Sequence, residues 1–387
     1  MADYASLEAG LAERKAQHLY RHRQVIESPQ GAELSINGQT YLNFCSNDYL
    51  GLANHPKIVE TFTSAAKEYG VGSGAAHLVS GHSYHHHQLE EELAEFTGYP
   101  RALVFSTGYM ANLGVISALL GQGDAVFEDR LNHASLLDAG LLSQARLQRY
   151  QHLDGDDLDH KISSSRAKQK LIASDGVFSM DGDIADVKQL AQIASGYDSW
   201  LMIDDAHGLA VMGQTGRGTL EHFGLGVADV PILMGTFGKA LGTFGAFVAG
   251  EEVLIETLIQ KARSYIYTTA LPPALAAASR EALRVVQTES DHREQLHTRI
   301  KQFREGVSQL GLPVMESVSA IQPLMIGESD QALAISETLR QQGLLITAIR
   351  PPTVPADTAR LRITLSAAHT ETHIDQLLDT LARVIKV

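Results

Sequence analysis

Trp200-Leu201-Met202-Ile203-Asp204-Asp205-Ala206-His207-Gly208 (WLMIDDAHG, residues 200–208) runs four apolar residues directly into two carboxylates and an imidazole. A short unbroken apolar run reads as a strand buried on both faces, and such strands belong to a mostly parallel sheet covered by helices on either side. The polar triplet then falls where the strand ends. In sheets of this kind, ligands bind beyond the carboxyl ends of the strands. Because successive strand residues face opposite ways, Asp204 and Asp205 are expected to separate, with only one meeting a ligand.

The same pattern recurs from about residue 89 to 250. Leu89, Leu93 and Phe96 share a helical face ahead of the run Ala102-Leu103-Val104-Phe105. Further strand candidates are 125–127, 171–173, 231–234 and 246–248, each separated by a stretch of helical period. The expected fold class is therefore α/β, a mostly parallel sheet between helices. Past Pro272-Pro273 a long helical stretch to about Leu310 leads into strands at 323–326, 344–347 and 360–364, with a helix through Leu339 and a final amphipathic helix. That texture suits a small α+β domain. At the other end, residues 7–25 read as a polar helix with a basic cluster at Arg21, His22 and Arg23, and Asn37-Gly38 marks a hairpin turn. The expected divisions are an N-terminal helix and hairpin segment (1–45), a large α/β domain (46–282) and a small α+β domain (283–387).

Composition narrows the function. With 31 Lys and Arg against 45 Asp and Glu, the formal net charge is −14 and no basic run appears, which argues against nucleic acid or an anionic membrane surface as partner. No window is long and apolar enough to span a bilayer, and the first ten residues lack the pattern of an export signal. One cysteine, Cys45, excludes an internal disulfide and fits a cytoplasmic setting, where it is expected as a small buried hydrophobe.

The chemistry centres on Gly235-Thr236-Phe237-Gly238-Lys239-Ala240-Leu241-Gly242-Thr243-Phe244-Gly245-Ala246, where one lysine stands among small and apolar neighbours. The spacing is wrong for an NTP-binding loop, since Lys239 is followed by Ala240 and only three residues separate it from Gly235. A desolvated lysine is instead a usable amine nucleophile, able to form a Schiff base with a carbonyl cofactor. A carboxylate at the end of the 200–204 strand is the partner that a pyridine nitrogen demands, so the pair points to pyridoxal 5'-phosphate. Ser106-Thr107-Gly108-Tyr109 joins a strand to a helix and suits a phosphate at the helix N-terminus. His133 follows another strand and can stack on a flat ring; Ser179, in Asp175–Gly182, ends a third. His207 can meet a phenolic oxygen, and the Thr236 hydroxyl a phosphate.

Two patterns are set aside. Gly70-x-Gly72-x-x-Ala75 follows a helical stretch rather than a strand, so it is no dinucleotide fingerprint but a glycine-rich loop. His85-His86-His87 cannot close on one ion from consecutive helix positions and is expected to be a solvated helix start; no metal site is expected.

Asn47-Asp48-Tyr49-Leu50-Gly51-Leu52, Gly72-Ser73-Gly74, DGVFSMDG (175–182), DDAHG (204–208) and Gly235–Lys239 together resemble the α-oxoamine synthases, over essentially the whole chain. The resemblance implies a fold-type I pyridoxal-phosphate enzyme, a homodimer, that condenses an amino acid with an acyl thioester and loses CO2. It implies Lys239 as the Schiff-base lysine, Asp204 as partner of the pyridine nitrogen, and His133 stacked on the ring. His207, Ser179, Gly108, Tyr109 and Thr236 would hold the cofactor. Arg21, Asn47, His133, Thr353 and Arg362 match substrate-contacting positions, with Arg350 a weaker match. The stretch Ala348–Pro355 with Thr358–Arg362 is most similar to the branch that joins L-alanine to a pimeloyl thioester on CoA or acyl carrier protein. Ala75-Ala76-His77 and Thr243-Phe244 depart from the common pattern and leave the thioester carrier open. A sister synthase that uses glycine shares every cofactor residue named. A non-catalytic binding protein on the same fold and a nicotinamide dehydrogenase are the alternatives from other classes.

Overall fold

The structure, a computed structural model, describes residues 3–17 and 19–385. In chain order its first elements are α1 (Tyr4–Ala16), β1 (Glu33–Ile36), β2 (Gln39–Asn43), α2 (Pro56–Tyr69), a π-helical turn (His77–Gly81), α3 (Tyr84–Thr97), β3 (Arg101–Phe105), α4 (Gly108–Leu119), β4 (Ala125–Asp129), α5 (Ala134–Leu142), β5 (Arg146–Tyr150), α6 (Gly155–Ser163) and β6 (Lys170–Asp175). They continue with α7 (Val187–Gly196), β7 (Trp200–Asp204), α8 (Thr219–Phe223), β8 (Ile232–Thr236), β9 (Ala246–Gly250), α9 (Glu252–Lys261), α10 (Arg263–Ile266), α11 (Pro273–Thr288), α12 (Asp291–Gln309), β10 (Ile321–Gly327), α13 (Ser329–Gln341), β11 (Leu344–Leu345), β12 (Thr347–Ile349), β13 (Ala359–Thr364) and α14 (Glu371–Val384). They form two compact units, Asn47–Gln295 and the residues up to Ser46 together with Leu296 onward.

The larger unit is built on a seven-stranded sheet of order β3-β9-β8-β7-β6-β4-β5. The pairs β8–β7, β7–β6, β6–β4 and β4–β5 are parallel, while β9 runs antiparallel to both β3 and β8. Six strands therefore point the same way, and the turns after β3, β4, β6, β7 and β8 emerge on one edge. The runs read as doubly buried strands are so: Leu103, Val126, Leu171, Met202, Ile232 and Val248 join helix residues such as Val115 and Ile255 in one core cluster. Each such side chain contributes about 1.5–3 kcal/mol by leaving water. The sequence reading lacked β5, Arg-Leu-Gln-Arg-Tyr, which lies at the opposite edge of the sheet from β3 and buries only Tyr150 fully; with its other side chains outside the core it carries no continuous apolar run to betray it.

The β8–β9 turn that carries Lys239 is pinned by backbone hydrogen bonds from Phe237 N to Gly245 O (2.9 Å) and from Thr243 N to Phe237 O (2.9 Å). Gly242 there has φ +65°, and a Cβ on it would lie 2.4 Å from the Ala53 nitrogen. No other residue satisfies both conditions.

In the smaller unit Asn37 (φ +52°) and Gly38 (φ +73°) make the two-residue turn of the β1–β2 hairpin. The hairpin is completed by β11, which pairs parallel to β2, and a second sheet has the order β10-β13-β12. The first expected segment is thus tied by strand pairing to the C-terminal part of the chain. Three expectations are corrected. The stretch 344–347 is not one strand, because the chain changes sheets at Ile346. The long helix after Pro273 breaks at Glu289-Ser290 into α11 and α12. The first helix ends at Ala16 rather than Val25: α1 buries none of its residues, and without an apolar face to pack, a helix does not propagate on backbone hydrogen bonds alone. Arg21, His22 and Arg23 lie in irregular chain beyond it, and His18 lies outside the described residues. Cys45 is only half-buried, its Sγ 3.2 Å from Leu345 O and 3.1 Å from Thr347 Oγ1; burial raises its thiol pKa. Among the described residues no helix is long and apolar enough to cross a membrane.

Candidate active site

At the carboxyl edge of the large sheet a cavity of about 180 Å3 is lined by Gly108, Tyr109, His133, Ser179, Asp204, His207, Thr236 and Lys239, drawn from the ends of five strands. All eight positions expected to hold the cofactor meet there. Asn112, Ser135, Asp175, Ala206 and Met234 also line it and were not anticipated.

Asp204, the last residue of β7, is buried, and its carboxylate is fixed from two sides. Asn112 Nδ2 donates to Oδ2 (2.8 Å) and the Ala206 N–H to Oδ1 (3.1 Å). The second hydrogen of Asn112 Nδ2 goes to Ser135 Oγ (2.8 Å), which leaves the Ser135 hydroxyl to donate to His133 Nδ1 (2.7 Å). The Ser135 N–H also donates to that nitrogen (3.3 Å), so Nδ1 is an acceptor and the neutral ring carries its proton on Nε2. One chain of bonds thus runs from Asp204 through Asn112 and Ser135 to His133. Asn112 was legible in principle: it is the one amide in the apolar helix Gly108–Leu119, and buried polar groups need partners.

Asp205 turns away from the cavity. Its Oδ2 accepts from the Thr219 N–H (2.8 Å), and burial pushes its pKa up to about 7. Asp175 accepts from the His133 N–H (2.9 Å); burial first, and the neighbouring Asp204 second, raise its pKa well above the ordinary carboxylate range. Lys239 is half-buried, and its positive charge opposes the upward shifts of Asp175 and Asp205. The sequence around Lys239 offered no pairing group; acids from two other strand ends supply the field. The imidazole of His133 has a lowered pKa, through desolvation and the Lys239 charge, with Asp204 and Asp138 opposing. His207 is buried, with Nδ1 2.5 Å from the Tyr49 hydroxyl, and Tyr49 is a further partner that sequence reading did not single out.

The 12-residue helix α4 begins at Gly108, capped by the Thr107 hydroxyl on Met110 N (3.2 Å), and turns its positive end toward the cavity. Tyr109 donates its hydroxyl to Asp138. The Thr236 hydroxyl donates to Gly245 O (2.9 Å) within the lysine turn and accepts from the Gly238 N–H (3.4 Å), so it can meet a phosphate oxygen only by turning its hydrogen away from Gly245.

Asn47, in the larger unit, accepts from the Tyr49 hydroxyl (3.2 Å). Arg21, Thr353 and Arg362 belong to the smaller unit and do not line this cavity. Arg362, in the middle of β13, is buried and donates from Nη1 to Thr364 Oγ1 (3.0 Å). Thr353 is exposed and its N–H donates to Arg350 O (3.1 Å). Arg350 is held below its ordinary pKa by burial and by the charge of Arg21.

One expectation about histidines fails. His86 is not part of a solvated helix start: it is fully buried, accepts from the Ser83 N–H at Nδ1 (2.9 Å), and donates from Nε2 to Leu271 O (2.5 Å). It closes a capping box at the start of α3, with both ring nitrogens used.

Residues 39–381 match the family model described as aminotransferase class I and II. An 8-amino-7-oxononanoate synthase from Cellvibrio japonicus (strain Ueda107) is 61% identical over 98% of this chain and 96% of its own length. One from Nitrosococcus oceani is 60% identical over 97% of this chain and all of its own. Among solved structures, a serine palmitoyltransferase variant from S. paucimobilis with a bound PLP–myriocin aldimine superposes with a TM-score of 0.93 at 30% identity, covering 98% and 96% of the two chains. An 8-amino-7-oxononanoate synthase from Francisella tularensis gives 0.78 at 32% identity, covering 89% and 97%. With the seven-stranded sheet and the lysine–aspartate–histidine cavity, these matches place the chain in the class I and II aminotransferase family, of fold type I, and within it among the 8-amino-7-oxononanoate synthases.

Proposed function

We propose that this chain is a pyridoxal-phosphate enzyme that joins L-alanine to a pimeloyl thioester, on CoA or acyl carrier protein, giving 8-amino-7-oxononanoate, CO2 and the free thiol, a step toward biotin. The observation that carries the reading is the convergence of Lys239, Asp204, His133 and His207 on one cavity at the sheet's carboxyl edge. The donor set fits the cofactor: an amine for its aldehyde, a fixed buried carboxylate for its ring nitrogen, two imidazoles, and a helix N-terminus with hydroxyls for its phosphate.

When bound, pyridoxal phosphate supplies an electron sink for the pair left on the substrate's α-carbon. Asp204, oriented by Asn112 and the Ala206 N–H, holds the proton on the pyridine nitrogen. Lys239 would anchor the cofactor through Nζ and, with that amine free, would take the substrate's α-proton. His133 would stack on the cofactor ring and offer its Nε2–H to the alanine carboxylate or the thioester oxygen, while Ser135 keeps the imidazole in that tautomer. His207, held by Tyr49, meets the phenolic oxygen. Ser179 would also hold the cofactor, and Gly108, Tyr109 and Thr236 would help fix it, Thr236 through the phosphate once its hydroxyl hydrogen leaves Gly245 O. The proposal assigns the alanine carboxylate to Arg362, whose fork matches two oxygens, with Asn47 assisting, and further substrate contacts to Arg21 and Thr353. It includes a cytoplasmic homodimer, for which exposed Val71 (88%), Val79 (79%) and Tyr267 (72%) offer apolar surface to cover.

The test is product identification by mass from L-alanine with pimeloyl-CoA and with pimeloyl carrier protein. The expected product is 8-amino-7-oxononanoate from at least one of them. Turnover with glycine and acetyl or succinyl thioester but none with alanine would overturn the proposal.

A further inference from the structure

The larger unit holds a second cavity, of about 410 Å3, that shares no residue with the first. Four arginines line it, Arg217, Arg280, Arg284 and Arg293, against two carboxylates, Glu92 and Glu95. On a chain of net charge −14 such a cleft is a local inversion of sign. Two of the guanidiniums are already balanced. Arg280 grips Glu92 through Nε (3.0 Å) and Nη2 (2.6 Å), and Arg284 meets Glu281 at 2.9 Å.

The other two have no carboxylate in ion-pair range, although Arg217 stands near enough to Glu221 to help lower that carboxyl's pKa. Arg293, near the start of α12, is only 8% exposed, and its recorded partners are carbonyl oxygens: Nη1 donates to Val286 O and Nη2 to Gln214 O, each at 3.2 Å. Among the described residues no carboxylate comes within 4 Å of the Arg293 or Arg217 side chain. Carbonyl dipoles satisfy hydrogens but leave a full charge uncompensated, and a guanidinium this deep is stabilised by an anion. The planar fork suits phosphate oxygens. A volume of about 410 Å3 exceeds what one phosphate fills and lies in the range of small-molecule sites.

We propose that this cleft binds a small molecule carrying a phosphate group, with Arg217 and Arg293 meeting the phosphate oxygens and the paired Arg280 and Arg284 lending positive potential at the wall. The site is independent of the reaction proposed above.

The experiment is calorimetric titration of the cofactor-loaded protein, whose own phosphate site is filled, with pyrophosphate at low ionic strength, with inorganic phosphate as a parallel arm. Saturable one-to-one binding is expected, tighter for pyrophosphate. Arg217→Gln, an exposed position, should weaken it about tenfold without changing turnover, the loss expected for one charge-assisted hydrogen bond. Arg293→Lys keeps the charge, loses the fork, and should weaken binding while the protein still melts cooperatively. Absence of saturable heat overturns the proposal. So does unchanged affinity in Arg217→Gln, or release of the cofactor's visible absorbance in step with the heat, which would place the anion in the first cavity.

Discussion

Replacing His152 by glutamine should cost stability in a pH-dependent way that the structure makes quantitative. His152 sits just past β5 and bridges two strand ends: Nδ1 lies 2.9 Å from Asp129 Oδ1, at the end of β4, and Nε2 lies 2.8 Å from Asp183 Oδ2, on the loop after β6. Phe178, next to Ser179, packs edge-on against the imidazole at 4.5 Å. Both partners are acceptors, so both ring nitrogens donate and the ring is cationic. Burial alone would lower its pKa, but the two carboxylates outweigh that and raise it from 6.5 to about 9. The raised value means the folded state binds the proton more tightly than the unfolded chain does. The resulting stability is fully present below the unfolded pKa, declines as pH rises beyond it, and is gone above the folded pKa. With 1.36 kcal/mol per unit, the linkage is worth about 3 kcal/mol near pH 6, about 2 kcal/mol near pH 7.5, and only about 0.2 kcal/mol near pH 9.5. For a unit of this size, about 2 °C accompanies each kcal/mol, so thermal melts of wild type and His152→Gln should differ by about 6 °C at the lowest pH and by under about 1 °C at the highest, beyond a constant offset from lost packing. A gap that stays level across this range, or widens toward high pH, would refute the doubly paired imidazolium.

Asn112→Ala removes one donor from Asp204 and one from Ser135, so the His133 tautomer loses its control; cofactor affinity, followed by dialysis and absorbance, should fall by about tenfold, and the melting temperature by several degrees because two buried groups lose a partner. Gly242→Ala forces a Cβ against the Ala53 nitrogen at 2.4 Å with φ +65°, and should cost about 2–3 kcal/mol, read as a melting shift of several degrees, while a Gly10→Ala control, a helix position with open space around it, should not lower the melt. His86→Ala should destabilise by about 2 kcal/mol, because Leu271 O and the Ser83 N–H each lose a buried partner, without altering cofactor absorbance.

The sheet was legible because most of its strands carry continuous apolar runs: 102–105, 125–127, 171–173, 200–203 and 231–234 need no context to be read. β5 was not, since Arg146, Gln148 and Arg149 look like any polar connection until a neighbour pairs with them. The polar ends of those same strands gave the cavity residues Lys239, Asp204, His133, His207 and Ser179. What the sequence hid was the network behind them. Asn112 and Ser135 meet Asp204 and His133 only because α4 and the turn before α5 cross the same strand ends, a tertiary fact with no signature in spacing. His86 misled for the opposite reason: among three consecutive histidines, only burial against Leu271 distinguishes the one that caps a helix from the ones that do not.

The account turns on a covalent link between one lysine and the cofactor's aldehyde. Borohydride reduction of the yellow protein, followed by proteolysis and mass mapping, measures it directly. The predicted result is a single pyridoxyl-phosphate adduct on the peptide containing Lys239; an adduct on another lysine, or a protein that stays colourless and unlabelled after incubation with pyridoxal phosphate, would contradict it.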